Sequence, residues 1–325
     1  MSRSANDPRR ALVTLLPQFL PRRRAGWPGA PIQQSGLERP AFFLLIAIVR
    51  ELDPGASASY DDLQANLFNP YSTIRPALDL LPALVAGGYL SQDGERYSVT
   101  PAGRELIIAA EHDVRAYVAT RQYAPEDEIA RLADRFEQIA GRLWAAPEPA
   151  AKPHQMRNRR LPPPEPGSAP QVHLDEAAYT LWLARDDAHN AAWRTADFDG
   201  PSFDLLSRLW AGDAATEAEL VGLVKHDQRP EDVARGLARL IEAGYVARTE
   251  NREQGNKGAG EQTSKGAGEQ TSGVTLALTE RGRAVRDAIE AETDRIYFAP
   301  WPPLYDDELA WMTAALRRIV TALGG

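Results

Sequence analysis

Residues 233–246, VARGLARLIEAGYV, carry the pattern that decides the fold. Val233, Leu237, Leu240 and Ile241 recur at helical spacing and predict one buried stripe. Gly244 stands where such a helix must stop in a left-handed turn. Tyr245 to Arg248 then opens a strand-like run, and a second run, Val274 to Leu278, returns to Thr279-Glu280-Arg281-Gly282-Arg283. Thr279 suits an N-cap, with Arg283 one turn into the next helix.

The same order occurs earlier in the chain. In LDLLPALVAGGYL (78–90) the apolar positions 78, 81, 84 and 85 form a stripe that ends at Gly88. A turn at Asp93-Gly94 and the run YSVTPAGRELIIAAE follow. Aligning Gly88-Tyr89-Leu90 with Gly244-Tyr245-Val246 also aligns Thr100-Pro101-Ala102-Gly103-Arg104 with Thr279 to Arg283. Upstream, PAFFLLIAIVREL and SFDLLSRLWAG each supply a first helix. SYDDLQANL and TEAELVGLVK each supply a second, opened by Ser or Thr with an acidic residue soon after. Three helices and a two-stranded wing make a winged helix-turn-helix. The fold class expected is therefore mainly α with small β-hairpin wings, as tandem winged helix-turn-helix domains.

Composition shifts mark the expected boundaries. Residues 1–35 read as a basic arm, with six Arg against Asp7. Residues 36–144 read as the first winged-helix domain. Its apolar-periodic extension over roughly 105–143 is expected to pack on the other unit or on a second copy. Residues 145–173, rich in Pro and Ala, read as an extended linker, and 174–325 as the second winged-helix domain. Within that domain KGAGEQTS occurs twice in succession, at 257–264 and 265–272, so 255–273 reads as a solvated insert at the wing tip.

The chain has 325 residues, 43% of them hydrophobic, enough for two cores. It has no cysteine, which removes disulfides and thiolate metal sites and fits a reducing cytoplasm. The N-terminal stretch lacks the long apolar core of a signal peptide. The longest apolar run, Ala41 to Val49, is far short of the roughly 20 residues that span a bilayer. A cytoplasmic protein without membrane contact, monomeric or homodimeric, is expected. The net charge is −8, but the arm and the linker are basic while both globular stretches are acidic.

The first unit resembles a MarR-type winged helix over roughly residues 37–120. The likeness rests on Ser59-Tyr60-Asp61-Asp62-Leu63, Gly87-Gly88-Tyr89-Leu90 and Tyr97-Ser98-Val99-Thr100-Pro101-Ala102-Gly103-Arg104. That family consists of dimeric DNA-binding regulators, so the resemblance implies DNA binding and a response to ligand. The second half resembles the SalK-like proteins, a helix-turn-helix group without a settled activity. Here the shared stretches are His189-Asn190-Ala191-Ala192-Trp193-Arg194, Asp199-Gly200-Pro201 and Leu278 to Leu304.

A DNA-reading helix needs basic or polar residues on its outward face. In the second unit Arg235 and Arg239 lie one turn apart, Arg229 precedes them, and Arg248, Arg252, Lys257 and Lys265 follow in the wing. The alternative is a solvated face, with Arg235 and Arg239 pairing to Glu231, Asp232 or Glu242. The first unit has Asp79 and Ala83 at the matching positions, and Pro82 should kink or shorten its helix. Ser72, Thr73 and Arg75 at that helix start, and Arg96 in the wing, remain candidates for phosphate contact. So do the arginine runs Arg22-Arg23-Arg24 and Arg157, Arg159, Arg160.

Trp193, Trp210, Tyr297, Phe298 and Trp301 could line an apolar pocket for a small effector; the alternative is that the aromatics anchor the C-terminal helix. The five histidines show no metal-ligand spacing, and Asp186-Asp187-x-His189 reads as helical surface polarity rather than a metal site. No phosphate loop or nucleophile elbow is present, so no catalytic residue, metal or cofactor is expected. The leading reading is a DNA-binding transcriptional regulator that binds double-stranded DNA and answers to a small effector. The alternative is a protein-interaction or scaffold module, with a protein partner and without DNA.

Overall fold

Helix α1 (Arg9–Val13), α2 (Leu16–Arg22) and α3 (Ala30–Ser35) form over the segment expected to be a free basic arm. The computed structural model describes residues 7–66, 70–250 and 274–324. The short apolar patch explains the difference: Leu12, Leu15, Leu16 and Phe19 are buried in a core shared with later helices. The arginines are held too. Arg10 pairs with Asp294, Arg23 with Asp175, and Arg24 with Asp175 at 2.7 Å.

The chain divides into two compact units. Among the described residues the first comprises 7–66, 75–195 and 289–324; the second comprises 70–74, 196–250 and 274–288. In the first, α4 (Arg39–Glu51) is followed by β1 (Ser57–Ser59) and α5 (Tyr60–Asn66). The stripe expected as one helix over 78–86 is instead a 3₁₀ turn, Pro76–Leu80, and a short α6 (Leu81–Ala86). Pro82 is the cause: its ring would clash with the carbonyl four residues back, so it is tolerated only in the first turn of a new helix. Strands β2 (Leu90–Asp93) and β3 (Arg96–Val99) join β1 in an antiparallel sheet of order β1-β3-β2. Helix α7 (Pro101–Ala119) and α8 (Glu126–Ala145) follow.

Residues 145–173, expected to be an extended linker, contain α9 (Pro153–Arg159). Its prolines fix the backbone, but side chains from α10 (Pro170–Arg194) fasten it. Asp187, only 1% exposed, accepts from the backbone N–H of His154 (2.9 Å) and Gln155 (3.2 Å). It thus caps α9 from another helix, and is not surface polarity. Lys152 donates to Leu143 O (2.9 Å) and Trp144 O (2.6 Å), closing the C-terminus of α8. Arg157 pairs with Glu51, and Arg160 with Asp53 at 2.8 Å. The basic runs offered as phosphate contacts therefore make internal ion pairs among the described residues, Arg22 and Arg159 excepted; Arg22 donates instead to Val320 O (3.1 Å).

The second unit contains α11 (Gly200–Ala211), α12 (Glu217–Val224), α13 (Pro230–Glu242) and the antiparallel pair β4 (Val246–Glu250) and β5 (Val274–Leu278). Its core is built on Leu205, Leu206, Leu220, Val233, Leu237 and Leu240. Helix α14 (Glu280–Phe298) starts in this unit, and its residues from Ile289 belong to the first. There α15 (Asp306–Gly324) joins α2, α8 and α10 around one core. The periodic extension over α7 and α8 thus buries its stripe partly within the first unit, through Ile129, Leu132, Phe136 and Ile139.

The local repeat read from sequence recurs bond for bond. Thr100 Oγ1 donates to Gly88 O (2.7 Å) and accepts from Gly103 N (3.1 Å). Thr279 Oγ1 donates to Gly244 O (2.7 Å) and accepts from Gly282 N (3.0 Å). Gly88 and Gly244 have φ of +74° and +71°, the left-handed stop that a helix C-terminus favours. A Cβ at Gly103 would collide with Tyr89 O, and one at Gly282 with Tyr245 O. Gly282→Ala is accordingly expected to destabilise the second unit by about 2 kcal/mol through overpacking against backbone, measured by urea denaturation.

Helix α10 also carries Asp186, whose carboxyl burial, with the Asp187 carboxylate beside it, pushes up to about 7 against the pull of Arg185. Between its ordinary 3.8 and about 7 the folded chain keeps a proton that the unfolded chain has lost. The folded state binds more protons there, so this group's contribution to stability falls as pH rises across that window and is lowest above it. Asp186→Asn is expected to gain up to about 4 kcal/mol over the parent at pH 8, shrinking toward zero near pH 4. Paired denaturation curves at the two pH values measure it; a gain that is equal at both would remove the ionisation account.

Candidate nucleic-acid interface

Helices α12 and α13 of the second unit meet across a short turn. Thr216 and Glu219 cap α12 reciprocally, Glu219 N donating to Thr216 Oγ1 (3.2 Å) and Thr216 N to Glu219 Oε2 (3.0 Å). Helix α12 ends at Val224, whose carbonyl accepts from Asp227 N and Gln228 N, each at 2.8 Å. Gln228 turns inward and is buried. Arg229 is the N-cap residue of α13 and Pro230 takes the first helical position. The inner face of α13 is Val233, Gly236, Leu237 and Leu240. Gly236 lets it approach α11 closely, since a Cβ there would lie 2.8 Å from Leu205 Cδ1.

The outer face presents Arg235 and Arg239, each with a side chain 61% exposed, among exposed Ala234 and Ala238. Each guanidinium has a carboxylate. Arg235 pairs with Asp232 at 3.1 Å, one of the partners expected from helical spacing. Arg239 pairs with Asp199, forty residues away, which spacing could not reveal. Arg248 pairs with Glu217 at 3.3 Å. Arg229 is exposed and makes no ion pair among the described residues. Exposed Lys225 in the turn adds a cation that the sequence reading passed over. The pairs to Asp199 and Glu217 are exposed and worth about 0–1 kcal/mol, so a phosphate can displace those carboxylates. Arg252, Lys257 and Lys265 lie outside the described residues.

The candidates near the first hairpin are placed differently. Ser72 and Thr73 belong with the second unit, not with the helix they were expected to start. Ser72 Oγ lies 3.0 Å from Asp227 O, and Thr73 Oγ1 donates to Asp232 Oδ2 (2.7 Å), beside the start of α13. Pro70 crosses Gly200 so closely that any Cβ there would strike Pro70 O. Arg75, half-buried, precedes the 3₁₀ turn in the first unit. Arg96 donates to Ser57 Oγ (2.7 Å) and faces Asp62 at 3.8 Å, along its own sheet.

The five aromatics are divided between the two units. Tyr297, Phe298 and Trp301 interlock in the first unit, with ring centroids 5.1–5.6 Å apart. Trp193, also in the first unit, donates to Asn190 Oδ1 at 3.0 Å. Trp210 lies in the second unit, hydrogen-bonded to Asp287 at 2.8 Å with Arg286 over its ring.

A model of a helix-turn-helix family matches residues 100–324, a stretch that contains α12, the turn and α13. The chain belongs to that helix-turn-helix family. Neither the curated proteins nor the solved structures contain a match. In this helix-turn-helix protein no helix among the described residues is long and apolar enough to cross a membrane, and no described group of three or more His, Asp or Glu could hold a metal ion.

Asp199 gives a handle on the outer face. Its Oδ1 caps α11 by accepting from Ser202 N (2.7 Å), while Oδ2 holds Arg239. Asparagine caps as well as aspartate, so Asp199→Asn keeps the helix and releases the arginine. It is expected to raise affinity for a mixed-sequence duplex at low salt by about two- to fivefold, the worth of one exposed ion pair. Fluorescence anisotropy measures this; unchanged or weaker binding would take Arg239 out of the interface.

Proposed function

We propose that this protein is a DNA-binding transcriptional regulator that lays α13 in the major groove. The carrying observation is the outer face of α13, where Arg235 and Arg239 stand exposed one turn apart at the second helix of a helix-turn-helix. Arg229, Lys225 and Arg248 surround that face and suit flanking phosphates. Arginine's planar fork fits both the O6/N7 edge of guanine and a phosphate. The MarR-type and SalK-like resemblances, and the helix–hairpin–helix order repeated in the two halves, support reading the chain as tandem winged helices. On that reading the first of them is the poorer reader, because Pro82 divides its helix and Asp79 stands where the second has Arg235.

A protein-interaction module is the second reading. It is favoured by the internal carboxylates: Asp232, Asp199 and Glu217 neutralise three of the four described arginines on the face. Titration of a fluorescent mixed-sequence duplex at several salt concentrations separates the two. The parent should bind with a steep salt dependence. Arg235→Ala/Arg239→Ala should flatten the slope of log K against log salt by about 2, close to one unit per lost phosphate contact. Absence of binding even at low salt would reject the DNA reading in favour of a protein partner.

A further inference from the structure

Residues Pro70–Ile74 belong to the second unit, although the chain on either side, α5 before them and Arg75 onward after them, belongs to the first. Ordering such an excursion costs backbone entropy, so the second unit must hold it. The seat is built at the head of α13. The N–H groups of Thr73 and Ile74 both donate to Asp227 O, at 2.7 and 3.1 Å, in the turn between α12 and α13. Ser72 Oγ lies 3.1 Å from Asp227 Oδ1. Thr73 Oγ1 donates to Asp232 Oδ2 at 2.7 Å, in the first turn of α13. The Tyr71 ring leans on Phe203, with centroids 6.2 Å apart.

Gly200 shows that this seat is built into the unit. It opens α11, and its φ is not left-handed, so its backbone does not call for glycine. Pro70 calls for it: a Cβ at position 200 would lie 1.8 Å from Pro70 O. Yet the attachment is made of exchangeable parts. All five residues are only half-buried, and none belongs to the buried core of the unit. Beyond the Tyr71 ring contact, hydrogen bonds fasten them. Water offers the same bonds to a strap that leaves, so each counts for little net. A segment with a shaped seat and few buried apolar contacts is one that opens at low cost.

The seat bears on the outer face of α13 through one carboxylate. Asp232 gives Oδ2 to Thr73 and Oδ1 to Arg235, the latter at 3.1 Å. With the strap in place the Asp232 side chain is only 14% exposed. A pair with one partner screened from water is held more tightly than a pair in open solvent, because less water competes for the charge. Arg235 is therefore held back toward the first turn of its own helix. Asp199, the residue before Gly200, holds Arg239 in the same way. In a helix-turn-helix the residues at the start of the second helix reach the base edges, and the strap is fastened to that start.

We propose that residues 70–74 are an autoinhibitory latch on α13. Seated, the strap fixes Asp232 against Arg235 and withholds that guanidinium from DNA. Unseated, it leaves Asp232 to water and Arg235 to a phosphate or a guanine edge. Duplex and strap thus compete for one helix end. The inference rests on reading α13 as a DNA-binding helix and deepens that reading by naming what restrains it. A strap with a structural role alone differs in its consequence: loosening it would weaken the second unit and gain nothing in affinity.

The test uses the full chain, a fluorescent mixed-sequence duplex at low salt, and hydrogen–deuterium exchange. Gly200→Ala pushes Pro70 off its seat without changing a charge or any residue of α12 and α13. Ser72→Ala/Thr73→Ala removes the side-chain anchors without a collision, which covers the case in which Gly200→Ala disturbs α11. In both variants the peptide containing Thr73 and Ile74 should exchange faster, while the one containing Leu237 and Leu240 stays protected. Both should bind the duplex about two- to fivefold more tightly, the worth of one freed ion pair. Adding Arg235→Ala should erase that gain, because the latch acts through Arg235. In the parent, saturating duplex should speed exchange at Thr73 and Ile74, since coupling between two sites is reciprocal. A strap that stays protected in both variants, unchanged or weaker binding once it is loosened, a gain that survives Arg235→Ala, or slower strap exchange on the duplex would each overturn the latch and leave the DNA reading standing. If parent and variants alike fail to bind at low salt, the DNA reading itself falls, and the latch falls with it.

Discussion

A carboxylate buried on a helix must be met by cations or N–H groups, or it will not stay charged. Asp175 on α10 is the case on which the first unit turns. Burial alone would raise its pKa, but Arg24 and Arg23 outweigh burial and hold it below the usual range. Those arginines lie just after α2, so satisfying one buried charge also brings the N-terminal helices onto the core, where Leu16 and Phe19 bury their side chains. Twelve residues further along α10, Asp187 does the same for α9 through two backbone N–H groups. One helix thus collects two segments that would otherwise have little reason to stay.

This has a consequence for the charge of the molecule. Positive charge placed in an arm and a linker would be free for phosphate, but positive charge spent on buried carboxylates is not. Arg10, Arg23, Arg24, Arg157 and Arg160 all make internal pairs. The candidate cations on and around α13 of the second unit, Arg229, Arg235, Arg239 and Arg248, are exposed instead. Two of their carboxylates, Asp199 and Glu217, are exposed and exchangeable, unlike Asp175, while Asp232 is largely covered. The pairs differ in their solvent: one shielded from water is held by low dielectric, and one in water competes with any other anion.

The segment 70–74 shows a related economy. Ser72 and Thr73 occupy Asp227 and Asp232 at the start of α13, and Gly200 is bare so that Pro70 can cross it. Asp232 therefore serves both Thr73 and Arg235, so the outer face of α13 and the seating of this segment share one carboxylate.

The sequence by itself determined what depends on neighbours along the chain. The stripes at 78–85 and 233–241, the stops at Gly88 and Gly244, the caps at Thr100 and Thr279, and the break that Pro82 makes all follow from helical period, left-handed φ and a missing N–H. It also determined that α13 exposes Arg235 and Arg239, because they lie opposite its apolar stripe. Tertiary structure alone decided which charges meet. With 37 basic and 45 acidic residues, composition permits far too many pairs to choose Arg239 with Asp199 or Arg24 with Asp175. It also decided that α1, α2, α3 and α9 are fastened to a core and that the five aromatics are divided between the two units. Each of these depends on distances between residues far apart in the chain, and local periodicity carries no record of such distances.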